Sequence, residues 1–130
     1  MTNKNEAFAP QLQEYQESLI KLSVLLYQID GKVTLSEQDY FDEMVDNMEW
    51  RSGISKPAFI NDAIHQARQA IDSNEASEFV RSLGDSLNLD AARTLEVAME
   101  LMHVDGERSE EEVDLLALLA NRILARGLVA

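Results

Sequence analysis

The stretch "IDGKVTLSE", residues 29–37, holds an aspartate, a glycine and, six residues after the glycine, a glutamate. Residues 104–112, "VDGERSEEE", repeat that spacing seventy-five residues later. Two readings use these atoms. In the first, each stretch is a corner between two helices. Gly31 and Gly106 stand where a helix ending in a left-handed residue favours glycine. Thr34 and Ser109 are good N-caps, and Glu37 and Glu112 follow three residues later, so both copies carry an S/T-x-x-E capping box. Each box satisfies two otherwise orphaned backbone donors, worth about 1 kcal/mol. Its carboxylate also suits the positive end of the helix dipole.

The second reading is a cation site. Placed on an EF-hand loop, Asp30 takes the fifth position, Gly31 the sixth, Thr34 the ninth and Glu37 the twelfth; Asp105, Gly106, Ser109 and Glu112 do the same. The first and third positions hold Leu26 and Gln28 in one copy, and Leu101 and His103 in the other. Leucine cannot coordinate calcium, and one loop offers too few of the roughly six to eight oxygens the ion takes. True EF-hands are excluded. A site shared between the corners is not, because Asp30, Glu37, Asp105 and Glu112 would pool four carboxylates whose repulsion a divalent cation relieves. These four are the candidate metal ligands, for calcium, magnesium or manganese. No other cofactor is expected.

Working outward from the corners, apolar residues recur at helical spacing through most of the chain, with two prolines and five glycines in all. The pattern predicts a helix over 11–29, with Leu12, Tyr15, Leu19, Leu22, Leu26 and Ile29 on one stripe. A second begins near Leu35 and carries Tyr40, Phe41, Met44, Val45 and Met48, until "RSGIS" breaks it. Ser55 caps a third, with Pro57 in its first turn where the missing N–H costs nothing, followed by Ala58, Ile60, Ile64, Ala67 and Ile71. "DSN", residues 72–74, is read as the start of a shorter fourth helix with Phe79, Val80 and Leu83. Asp90 is placed to cap a fifth, carrying Leu95, Ala98, Met99 and Met102. The last helix, over 110–126, has a broad apolar side that suits a central helix or one meeting a partner subunit. The expected fold is all-α, a compact bundle of six to seven helices. Residues 1–10 are polar and expected to be disordered, and 11–130 form a single domain.

Shifting the chain by seventy-five residues superimposes two helix–turn–helix units. Leu22 meets Val97, Leu26 meets Leu101, Ile29 meets Val104 and Met44 meets Leu119. Two units are too few for a solenoid, so a pseudo-symmetric pair of helical hairpins is expected. An apolar helix ending in "YQIDG" or "MHVDG", a glutamate six residues past the glycine, then another apolar helix: this resembles the tellurite-resistance TerB-like family. The closing "LLALLANRILARGL" resembles the helix of that family's second copy. The resemblance covers residues 12–126, while the central segment, 50–90, matches in length and helical character alone. It implies a compact all-helical bacterial domain linked to tellurite and wider stress responses. It also implies acidic turns suspected of metal binding and no established catalytic activity.

Composition narrows the function further. The net charge is −13, with Lys and Arg scattered, so phosphate backbones and anionic lipid are repelled. Nucleic acid and membrane are therefore not expected as partners; a divalent cation, a basic protein surface or a second copy in a homodimer are. No apolar run is long enough to span a bilayer, and the first residues lack a signal-peptide pattern. Cysteine is absent, which excludes disulfides and thiolate chemistry. A cytoplasmic location is expected.

Weaker signals remain. "LGDSL", residues 83–87, resembles the serine motif of acyl carrier proteins and makes Ser86 an alternative attachment point. The residue those proteins place between glycine and aspartate is missing, so an inter-helix turn is the simpler reading. A hydrolase using the pooled carboxylates with a metal to activate water is a further alternative. No serine has a recognisable base and acid around it and no glycine-rich phosphate loop occurs, so a non-enzyme is expected. His65 and His103 are expected to be structural. The methionines and Tyr40, Phe41, Phe59 and Phe79 are assigned to the core, and Trp50 to a contact surface.

Overall fold

The structure, a computed structural model, describes residues 10–28, 35–103, 114 and 117–119. Those residues are mostly helical, with no strand among them. Helix α1 runs Pro10–Gln28, α2 Leu35–Asp46, α3 Lys56–Asp72 and α4 Ala76–Ser82. A single α-helical turn, Gly84–Leu87, and a 3-10 turn, Asn88–Asp90, lead into α5, Ala91–His103. Further along, Asp114, Ala117 and Leu118 have helical backbone, and Leu119 is fully buried.

The axle of the fold is α1. It packs closely along α3 and α5, and also meets the Gly84–Leu87 turn, α2 and the 3-10 turn. The expected stripe is too narrow: besides Tyr15, Leu19, Leu22 and Leu26, the residues Ile20, Val24 and Leu25 are also excluded from solvent. Leu12, by contrast, is on the stripe and 41% exposed. A helix buried beyond one stripe must also dispose of its buried polar residues. Ser23 Oγ donates to Leu19 O at 2.7 Å and Gln28 Nε2 to Val24 O at 2.9 Å. Gln16 Nε2 donates to Glu49 O at 2.6 Å, and Gln28 Oε1 accepts from Arg68 at 2.9 Å.

Helix α3 meets α1 through alanines. Ala63, Ala67 and Ala70 are buried, at i, i+4 and i+7, while Ile60, Ile64 and Ile71 flank them half-buried and Ala58 is exposed. Small side chains let the two backbones approach. Its start is as the sequence predicts: Ser55 Oγ accepts from Ala58 N at 3.3 Å, and Pro57 sits in the first turn.

The end of α3 corrects the expectation for "DSN". These residues stop α3; they do not start α4. Asn74 is left-handed, with φ 63°. The Glu75 N–H reaches Ala70 O at 2.7 Å and the Asn74 N–H reaches Ile71 O at 3.1 Å, the two bonds of a Schellman motif. Asparagine tolerates this backbone, whereas a β-branched residue does not. Asn74→Val is therefore expected to lower unfolding free energy by about 1–2 kcal/mol, and Asn74→Gly to leave it level or raised. Urea denaturation checks both; equal midpoints for the two variants would contradict the assignment.

The stretch 84–90, expected as punctuation, is helical throughout, and Asp90 then caps α5, its Oδ1 accepting from Arg93 N at 3.2 Å. Helix α5 buries Ala91, Thr94, Val97, Ala98 and Leu101; Met99, expected inside, is 41% exposed. Met44 and Phe41 are buried, and Tyr40, Met48, Phe59 and Phe79 pack half-buried against the core. Trp50 is also held inward. Its ring stands 5.3 Å from that of Phe59, and Nε1 donates to Ile54 O at 2.8 Å.

Candidate functional site

The two Asp-Gly stretches follow α1 and α5 in sequence, so the relation of those helices comes first. Their N-terminal ends are tied together. Tyr15 Oη lies 3.0 Å from Thr94 Oγ1 and 3.2 Å from Asp90 O. Thr94 Oγ1 in turn lies 3.0 Å from both Leu87 O and Asp90 O. Two hydroxyl protons serve this cluster, and its acceptors outnumber them, so neither hydroxyl is left without a bond although Thr94 is fully buried.

Burial pushes the Tyr15 phenol up to about 12, from an ordinary value near 10; the Thr94 bond opposes the shift and the Asp90 charge adds to it. Burial likewise raises Tyr40, opposed by Arg93. The folded state thus holds the Tyr15 proton more tightly than the unfolded chain. This contribution is intact below about pH 10 and is lost as pH rises toward 12. In that window the stability of the protein is expected to fall with a slope approaching ~1.4 kcal/mol per pH unit from this group. Tyr15→Phe should show a shallower slope in denaturant titrations at stepped pH. Identical slopes would contradict the assignment.

At the far ends, Asp30, Asp105 and Glu112 lie outside the described residues, as do Gly31, Gly106, Thr34 and Ser109. Of Glu37 the backbone is described, in the first turn of α2. Helix α2 starts at Leu35, directly after Thr34, which places Glu37 three residues past the expected cap. The residues paired by the internal repeat share one hydrophobic core: Leu22 with Val97, Leu26 with Leu101, and Met44 with Leu119 are each buried. Among the described residues no three Asp, Glu or His side chains gather as a metal cage.

The other candidates lie elsewhere in the chain. Ser86 lies within the Gly84–Leu87 turn and its Oγ donates to Glu14 Oε2 at 2.5 Å, tying that turn to α1. His65 is exposed on α3, and the His103 side chain lies outside the described residues. Sequence reasoning missed Lys56, whose Nζ donates to Val45 O at 2.8 Å and Met48 O at 3.2 Å and so neutralises the negative end of α2. The signal was faint: a lysine beside a helix-starting proline, with no acidic partner in sequence. No helix among the described residues is long and apolar enough to cross a membrane.

The profile of the family described as "Tellurite resistance protein TerB" matches residues 16–124. None of the curated proteins and none of the solved structures searched matches the chain. The matched span takes in most of α1, all of α2 through α5 and both Asp-Gly stretches.

Proposed function

The chain belongs to the family of the tellurite resistance protein TerB, and from that membership we propose that it is a non-enzymatic, cytoplasmic stress-response domain of bacterial type. It acts through protein contacts and takes a divalent cation at its paired acidic corners. In this reading the chain is a six- to seven-helix bundle built from two pseudo-symmetric helix–turn–helix units. The observation that carries it is the packing of α1 on α5. The two helices start side by side at the Tyr15–Thr94 bond and pack along one another, so they lead toward the same end of the molecule. Gln28 and His103 end them, and the repeated Asp-Gly corners follow. Carboxylates from Asp30, Glu37, Asp105 and Glu112 brought to one end would repel each other, and a cation offsets that repulsion.

Calorimetric titration with calcium, magnesium and manganese tests the proposal. Saturable heat and a raised Tm are expected, both lost when the four residues become Asn or Gln. Binding of native chain to metal raises stability by mass action, about 2.7 kcal/mol at a hundredfold excess over Kd. No heat and no change in Tm at millimolar metal would sink the cation site.

A further inference from the structure

Helices α2 and α3 both lean on α1 yet approach each other little. Between them lies an open groove of about 790 Å³, to which α2 gives Asp42, Val45 and Asp46, and α3 gives Ile60 and Ile64. The floor is apolar: Val45 is buried, and the two isoleucines are left half-exposed because the alanine face of α3 has already taken α1. The edge is anionic. Asp42 and Asp46 stand one turn apart and exposed; Asp42 accepts a bond from the neutral Gln38, and among the described residues no ion pair reaches either carboxylate. Among the described residues the one cation at the groove, Lys56, is committed to Val45 O in the last turn of α2 at 2.8 Å and to Met48 O just beyond it at 3.2 Å.

From this arrangement we infer that the groove receives a cationic amphipathic helix of a partner protein. Its apolar side chains rest on Ile60 and Ile64, and its Lys or Arg side chains face Asp42 and Asp46. The stretch of α3 from Ala58 to Ile64 offers about 10 Å at 1.5 Å per residue, room for two turns of such a helix. Charge selects the occupant. A second copy of this chain carries the same −13 and an anionic membrane the same sign, so both are repelled where a basic helix is attracted. The inference rests on the protein-contact reading and is independent of the cation at the corners.

The test uses the full chain, isotope-labelled, in EDTA, with a synthetic Lys/Leu amphipathic peptide of about 15 residues as the probe. Amide shifts are expected to concentrate on α2 and on the first half of α3. Asp42→Asn combined with Asp46→Asn should weaken the peptide roughly fivefold or more, and Ile64→Ser should weaken it with no change of charge. A peptide with Glu in place of Lys should not bind. The proposal is overturned if the shifts gather on another acidic face, or if the affinity is unchanged in both variants. Concentration-dependent shifts at the groove without peptide would also overturn it, by assigning the face to self-association. Because metal is chelated throughout, failure here leaves the cation titration intact, and failure of that titration leaves the groove.

Discussion

Ile20→Ala is expected to lower the unfolding free energy by about 2–5 kcal/mol, while Leu12→Ala changes it by no more than about 0.5 kcal/mol. The sequence stripe of α1 suggests the reverse order, since Leu12 lies on it and Ile20 does not. The structure reverses it because Ile20 is 0% exposed and Leu12 41%. Truncating Ile20 removes its transfer free energy and leaves a cavity in the buried core, where the surroundings relax only in part. For a chain of this length the loss corresponds to a fall in Tm on the order of 10 °C. Thermal and urea unfolding of the two variants check it; comparable losses for both would mean that α1 is an ordinary one-faced surface helix.

The second large effect has the opposite sign of volume. Ala67→Leu is expected to cost about 1–3 kcal/mol, whereas Ala58→Leu stays within about 0.5 kcal/mol. Ala67 is 0% exposed at the approach of α3 to α1, and three added carbons must push two backbones apart or force off-rotamer neighbours. Ala58, on the same helix, is exposed. Leucine is a helix former almost as good as alanine, so propensity does not confound the comparison. The measurement is urea denaturation of each variant. A neutral Ala67→Leu would show that α3 stands off from α1 and that the alanine stripe is incidental.

Much of the local structure is legible in the residues. Serine before a helix with proline in its first turn reads as the start of α3, and Asp90 reads as the cap of α5; both bonds form. Thr34 reads as a cap, and α2 begins at the next residue. The "DSN" boundary is harder, because asparagine serves equally to end one helix and to begin the next. Only the positive φ of Asn74 separates the two. The stretch 84–90 misleads because glycine and aspartate signal turns, whereas a closely packed neighbour keeps them helical. Ser86 and Glu14 show the same thing, bonded across a separation no local pattern encodes.

For the functional surfaces, the sequence is strongest where a motif repeats. The repeated Asp-Gly motif and the family it marks are visible in one dimension because the motif spans only nine residues. The groove between α2 and α3 left a subtler trace. Helix α3 carries two apolar faces, alanines and isoleucines, more than a single packing partner needs. Which of the two stays open depends on where α1 lies.

The sequence by itself determined the helical character of the described residues, the starts of α3 and α5, a repeated Asp-Gly motif and membership of the TerB family. Periodicity, capping and dipole effects act over one or two turns, so they can be read from neighbouring residues. Only the tertiary structure decided that the C-terminal half of α1 is buried well beyond one stripe, that the alanines of α3 are buried while its isoleucines stay half-exposed, and that Tyr15 bonds Thr94. The reason is that burial is a relation between distant segments. A side chain's exposure is set by what packs on it, and no periodicity within one helix states how many partners that helix will have.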